Sequence, residues 1–243
     1  MIPKKIHFIW LGNKKFNNTS LMCINTWRRV CPDYEIILWN ERNLELHKLI
    51  EDNLFLKKCI ENKIWAFASD YLRLYILYKE GGIYLDTDVE VVKNFDVLLD
   101  KKFFVGLESE NFIGTGVIGA ERGSRQIKRL LDFYSKEIWN VDYYNNPIIF
   151  KNLFEKEPHI FAKTCILPVK FFSPYNPNDK NIGNTLIGDN DTICIHWYNA
   201  NWGMSRRGYV FLQTKHIKQP IFKIYQVIRK NIGYYRKKKK LNH

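Results

Sequence analysis

The sequence predicts a single α/β domain on a mostly parallel sheet, followed by a basic amphipathic helix. Three observations predict it. First, a strand, a helix and a second strand follow one another through short links from residue 5 to residue 39. That is the order of a βαβ unit, which lays its strands parallel. Second, a long helix that is apolar almost all round runs into a short apolar strand ending in two acids; such a helix lies deep in a fold. Third, the charge is partitioned. The 243 residues carry a formal net charge of +13, yet residues 1–191 hold 26 basic against 25 acidic residues. The remaining twelve Lys and Arg all follow the last acid, Asp191. This asymmetry predicts a near-neutral body with an appended cationic segment, divided here into 1–215 and 216–243.

Each element has its own local reason. Lys5–Leu11 is apolar and β-branched and is closed by Gly12-Asn13, a strand. Ser20 is placed to cap a helix running to about Val30, which Pro32-Asp33 ends. Tyr34–Trp39 is the second strand. Residues 42–62 read as one or two helices, and 64–80 as the long one, stopped by Gly81-Gly82. Ile83–Leu85 is a short buried strand, broken at Asp86-Thr87-Asp88 and resumed at Val89–Val92. Phe103–Leu107 and Gly116–Ala120 read as strands, Gly123-Ser124 to about Trp139 as an amphipathic helix, and Asn146–Phe154 as a weaker one. The Pro-, Asn-, Asp- and Gly-rich stretch 155–192 reads as loops with short strands near Thr164–Leu167 and Phe171-Phe172. Thr192–His196 closes the body. Pro220 then opens a helix whose Ile221, Ile224, Tyr225, Ile228, Ile232 and Tyr235 share one face.

Composition excludes several classes. Apolar residues make up 46% and aromatics 15% of the chain, so it can bury a core, and disorder and coiled coil are out. No run of about 18 apolar residues occurs, so no membrane-spanning helix is expected. The first residues lack an apolar signal core, so a cytoplasmic protein is expected. Five cysteines without a Cys-x-x-Cys predict buried reduced thiols. The near-neutral body argues against nucleic acid, which needs a basic footprint on the fold. The basic amphipathic tail matches a helix lying in a membrane interface, at the inner face of the plasma membrane, or else one packed on the body with a solvated charge run. Anionic lipid attracts each nearby Lys or Arg by about 1 kcal/mol.

The chemistry concentrates between Ser69 and Asp88. Asp86 and Asp88 lie two apart on extended chain, which turns both carboxylates to one side. They end an apolar strand, and the carboxyl edge of a parallel sheet is where such sheets bind ligands. Two carboxylates converging there repel unless a cation lies between them, and hard oxygen donors suit Mn²⁺ or Mg²⁺. Asp70 and Arg73, three apart, share a helix face. On a buried helix they are either a structural ion pair or ligand-binding groups.

The string Ser-Asp-Tyr-Leu-Arg from Ser69 to Arg73, with Gly-Gly-Ile-Tyr-Leu-Asp-Thr-Asp-Val from Gly81 to Val89, resembles the sugar-binding region of the family 32 glycosyltransferases, those with a DXD motif. The opening Ile2-Pro3-Lys4-Lys5-Ile6-His7-Phe8-Ile9-Trp10 and closing Ile195-His196-Trp197 to Trp202 extend the resemblance over residues 2–202. That family spans bacterial capsule and lipopolysaccharide hexosyltransferases, yeast mannosyltransferases and, more distantly, glucosylating toxins. The resemblance implies a GT-A-like fold, a nucleotide-sugar donor, a divalent metal and retention of anomeric configuration. It implies that Asp70 and Arg73 hold the donor sugar, that Trp10 stacks on the nucleobase and that Tyr84 packs at the nucleotide. Asp86 would contact ribose or metal-bound water, Asp88 would ligate the metal and His196 would complete its shell. Trp202 would cover the diphosphate and Asn111 would touch the sugar. Left open are a core role for Trp10 and a strand-end role for His196. Ala200 and Trp197 stand where the toxins carry Ser and acidic residues.

The function this implies is transfer of a galactose- or glucose-type hexose from a UDP-sugar to a saccharide acceptor. That acceptor would be lipid-linked, in bacterial surface polysaccharide synthesis. The alternatives are a non-catalytic nucleotide-sugar-binding module and an effector that glycosylates a protein.

Overall fold

The computed structural model describes residues 1–177, 187–199 and 203–241, with the backbone alone for 236–241. Among the described residues, eight strands and ten helices follow in chain order. They are β1 (Lys5–Ile9), α1 (Asn18–Val30), β2 (Glu35–Trp39), α2 (Leu46–Asp52), α3 (Leu54–Glu61), α4 (Trp65–Glu80), β3 (Gly82–Leu85), β4 (Val89–Val91), β5 (Phe103–Ser109), β6 (Phe112–Ala120), α5 (Arg125–Asp132), α6 (Asn146–Lys156), α7 (Pro158–Phe161), β7 (Cys165–Leu167), α8 (Val169–Phe172), β8 (Cys194–His196), α9 (Arg206–Thr214) and α10 (Pro220–Leu241).

The main sheet has the order β2-β1-β3-β6-β5-β7. β1 pairs parallel with β2 and β3, β6 runs antiparallel to β3 and β5, and β7 is parallel to β5. Five of the six strands therefore run one way, the mostly parallel α/β sheet that the sequence predicts. Alternation along the strands sends side chains into two cores. Ile6, Phe8, Ile83, Leu85 and Phe104 pack on one face with Trp27 of α1. Ile9, Tyr84, Phe103, Val105 and Ile118 pack on the other with α3, α4, α5 and α6. α4 threads the second core, with Ala68, Leu72, Leu74 and Leu77 fully buried. Gly119 leaves room for a neighbour: a Cβ there would stand 2.0 Å from the Phe104 ring.

Several local expectations are corrected. The cap of α1 is Asn17, whose side chain accepts from Ser20 N, so Ser20 is inside the helix. Phe171-Phe172 ends a helical turn rather than a strand, because Pro168 sets an extended entry at its N-terminus. The helix after Ser124 loosens after Asp132 into a π turn over Phe133–Glu137. α9 is an additional helix, capped by Ser205, whose hydroxyl accepts from Gly208 N. All five cysteines are free and four are buried, as expected of structural thiols.

His7 is wholly buried in β1. Its Nδ1 accepts from the Trp39 indole at 3.1 Å and its Nε2 donates to Gly81 O at 2.8 Å. Both ring nitrogens are satisfied in the neutral form, and burial pushes its pKa down to about 4. Gly81 and Gly82 both have positive φ, 66° and 99°. A Cβ on Gly82 would strike the His7 ring and the Lys5 carbonyl, so this turn needs glycine.

At the far end, α10 meets α9 through Lys230 to Gln213 and the Tyr209–Tyr234 ring pair, and meets Met204 O through Tyr234. The other face of α10 stays in solvent: Ile221, Ile224, Tyr225, Ile228, Ile232 and Tyr235 are all more than half exposed. No helix among the described residues is long and apolar enough to cross a membrane.

Candidate active site

The site forms where β1 and β3 end side by side. Chain order reverses across that seam, β2 lying on one side of β1 and β3 on the other, the place where open α/β sheets bind ligands. A cavity of about 340 Å³ opens there, walled by Ile9, Ser69, Asp70, Arg73, Tyr84, Asp86, Asp88, Glu108, Gly116, His196 and Tyr198 among others.

The acids converge by a route the extended-chain reading does not describe. Asp86-Thr87-Asp88 is a tight turn closed by Val89 N donating to Asp86 O at 3.0 Å. After it the chain leaves the main sheet, and β4 pairs antiparallel with β8 in a sheet of two. That ladder sets Val89 opposite His196. It thereby brings His196 Nε2 to 3.4 Å from Asp88 Oδ1. One donor atom each from Asp86, Asp88 and His196 lies within 4.8 Å of the others.

Two carboxylates and an imidazole form a donor set suited to a divalent cation of the Mn²⁺ or Mg²⁺ kind. The floor fits as well: a Cβ on Gly116 would lie 3.2 Å from both Asp86 Oδ2 and His196 Cε1 and would crowd them, and glycine leaves this space clear. Burial works against a charge on His196, but Asp88 and Asp86 outweigh it and hold its pKa above the usual value.

Arg73 lies behind the acids, buried in α4. It meets Asp70 Oδ1 at 3.0 Å and Asp86 Oδ1 at 3.2 Å, donates to Thr115 O at 2.6 Å, and stands 4.5 Å over the Tyr84 ring. Burial opposes its charge; Asp86, Tyr84 and Asp70 together prevail and fix it as a cation. Burial also pushes the Asp70 carboxyl up to about 6, against the pull of Arg73. Tyr84 donates to Asp86 Oδ1 at 2.7 Å and lies 3.1 Å from the Ser69 hydroxyl. Asn146, which opens α6, donates to Asp70 Oδ1 at 3.1 Å.

The structure thus gathers Asp70, Arg73, Tyr84, Asp86, Asp88 and His196 around one cavity. Trp10 stands outside its wall, 4.6 Å from the Phe16 ring, with its indole donating to Lys14 O. Asn111 is exposed in the turn between β5 and β6. Trp202 lies outside the described residues. Sequence reasoning missed Glu108, Tyr198, Asn199 and Asn146. The last is 76 residues from the acid it holds, a distance that no spacing rule spans. Glu108 had one signal: the glycines at 114 and 116 that accompany a break in strand register.

Residues 18–105 match the model of the family described as glycosyltransferase sugar-binding region containing DXD motif. Over that stretch, about a third of the chain, the sequence is similar to this family, and the match takes in Asp70, Arg73, Asp86 and Asp88. It is 33% identical over 125 residues to inositol phosphoceramide mannosyltransferase 3 of Schizosaccharomyces pombe, covering 50% of this chain and 34% of that one. It is 26% identical over 194 residues to Subversion of eukaryotic traffic protein A of Legionella pneumophila, covering 67% and 30%. The chain therefore spans about a third of the length of these two curated relatives. Among solved structures, PaToxG glycosyltransferase superposes with a TM-score of 0.53 at 23% identity, covering 66% of this chain and 72% of that one. That likeness shows the shared GT-A-like fold.

Proposed function

We propose that this chain is a divalent-metal-dependent glycosyltransferase that moves a hexose from a UDP-sugar to a saccharide hydroxyl with retention of configuration. The observation that carries the reading is the convergence of Asp86, Asp88 and His196 in a cavity backed by the Asp70–Arg73 pair. Asp86, Asp88 and His196 would hold the cation, which when bound neutralises charge on the diphosphate. His196 nitrogen favours Mn²⁺ over Mg²⁺.

The remaining work falls to the chain's own groups. Arg73, a permanent buried cation, faces the negative charge that grows on the departing phosphate, and its four partners keep it from reorganising as that charge develops. Asp70, fixed by Arg73 and Asn146, accepts from hydroxyls of the donor sugar. The bond from the sugar's C1 to the phosphate oxygen breaks, and its electron pair goes to the phosphate. A new bond joins C1 to the acceptor oxygen on the same face, and the acceptor proton passes to the phosphate. Trp10, Asn111 and Trp202 keep the nucleobase, sugar and diphosphate roles that the resemblance implies.

Donor hydrolysis tests this. The protein is incubated with a panel of nucleotide sugars with Mn²⁺ or with EDTA, and Asp88→Asn is run beside it. Hydrolysis that needs Mn²⁺ and falls at least a hundredfold in Asp88→Asn is expected. Turnover unchanged in that variant refutes the assignment.

α10 supports docking on an anionic membrane, which would set the site against a lipid-linked acceptor in surface polysaccharide synthesis. Its apolar stripe is exposed while Lys223 and Arg229 lie beside it. Sedimentation with phosphatidylserine vesicles should capture the full chain at low salt, release it at high salt and fail for Ile224→Ser/Ile228→Ser. Equal capture of that variant would remove the membrane role.

A further inference from the structure

Four carboxylates face the cavity: Asp70, Asp86, Asp88 and Glu108. Arg73 holds the first two, and His196 stands against the third. Glu108 alone of the four has no hydrogen bond to its carboxylate among the described residues. It is half-buried, and burial raises its pKa above the ordinary value against the pull of His196.

Its place in the sheet is irregular. Leu107 pairs with Ile113 and Ser109 with Phe112, so the ladder slips at Glu108. Such a slip re-aims a side chain. Glu108 also belongs to a second, wider and more open cavity of about 640 Å³ adjoining the first, which Ser109, Ser173 and Tyr175 help to line.

Tyr198 is the other residue common to both cavities. Its φ is +49°, a strained value for an aromatic residue of a kind that clusters at ligand sites. Its ring stacks on His196 at 4.1 Å, and Ser173 lines the same wider cavity. Tyr175 stands beyond it, tilted against Trp197 at 5.2 Å.

From this geometry we infer that the wider cavity is the acceptor subsite, that Glu108 accepts a hydrogen bond from the acceptor's hydroxyl, and that the acceptor end it takes is an uncharged saccharide. The inference rests on the glycosyltransferase reading. Tyr175 and Tyr198 offer flat apolar faces for a sugar ring, and Ser173 and Glu108 offer polar partners at its edge. The described residues lining the cavity include Glu108 and Glu110 and no Lys, Arg or His. An acceptor bearing phosphate or carboxylate at this end would meet like charge without compensation. A neutral hydroxyl instead gives Glu108 a charge-assisted hydrogen bond. The wall at Glu108 and Tyr198 would then set the reacting oxygen beside the donor.

A charge-matched pair of probes tests this. The protein, with Mn²⁺ and the donor it hydrolyses fastest, is offered p-nitrophenyl β-glucoside or p-nitrophenyl β-glucuronide, which differ by one carboxylate. A preference of at least tenfold in kcat/KM for the glucoside is expected. In Glu108→Gln the acceptor KM should rise and the preference should shrink, and in Ser173→Trp the ratio of transfer to donor hydrolysis should fall at least tenfold. Saturation-transfer NMR with methyl β-glucoside reads contact without turnover, and Tyr175→Ala should weaken that signal.

Equal use of the two probes overturns the inference, as does a preference unchanged in Glu108→Gln. Absence of glucoside contact by NMR, with donor hydrolysis intact, also overturns it and spares the enzyme reading. A glycosyl ester trapped on Glu108 would show it to be a nucleophile and overturn its acceptor role. Absence of hydrolysis with every donor defeats the enzyme reading itself, while the NMR contact still decides the subsite.

Discussion

His7 makes the fold acid-sensitive in a measurable way. The wholly buried ring has one nitrogen accepting from Trp39 and the other donating to Gly81 O, an arrangement that the doubly protonated ring cannot keep. Its pKa falls from 6.5 to about 4. A depressed folded-state value means that the stabilisation is whole above 6.5 and is lost as the pH falls toward 4 and below. At about 1.36 kcal/mol for each pKa unit, the full effect is about 3 kcal/mol, of which about 2 is gone near pH 5. Asp70 works in the opposite sense. Its raised value near 6 adds stability below the unfolded carboxyl value that is lost as the pH rises through 6. The assay therefore compares wild type with His7→Gln at each pH, which cancels Asp70 and the other shared groups. Urea midpoints are measured at pH 8, 6 and 5. Wild type should exceed the variant at pH 8, and the gap should close by about 2 kcal/mol by pH 5. A gap independent of pH would refute both the neutral tautomer and the argument from burial.

Three further outcomes follow from the same contacts. Arg73→Met strands Asp70 and Asp86 in the interior and should cost about 3–5 kcal/mol of stability; adding Asp70→Asn should restore part of it in urea titrations while donor hydrolysis stays lost. Gly116→Ala sets a methyl group 3.2 Å from Asp86 and His196, so calorimetric binding of UDP with Mn²⁺ should weaken by at least tenfold with Tm little changed. Gly119→Ala drives a methyl group into the Phe104 ring and should lower stability by about 1–3 kcal/mol, read as a drop in Tm, without altering the metal dependence of whatever enzyme folds.

The α/β class and most strand positions were legible because the strands are short apolar runs and several of the turns that bound them carry Gly, Asn or Pro. The Asp70–Arg73 pairing was legible for the same kind of reason, being an i, i+3 contact on one helix. What the sequence hid depends on distant partners. The break at Asp86-Thr87-Asp88 was legible, but that it is a tight turn carrying β4 out of the main sheet shows only once β8 is known to claim β4. Asn146 becomes meaningful only when α6 is laid against α4. α9 had a readable cap in Ser205 but begins with Arg206-Arg207-Gly208, which disguises a helix start. Glu108 sits at a strand slip, and such slips are set by how two strands meet rather than by either alone.

The small β4–β8 ladder has a consequence for how this centre tolerates change. Strand neighbours alternate between faces, so a one-residue slip of β8 past β4 would turn His196 away and present Ile195 or Trp197 in its stead. A lengthened or shortened β8 would therefore disarm the protein while leaving its main sheet untouched, yielding a well-folded shell that has lost its imidazole.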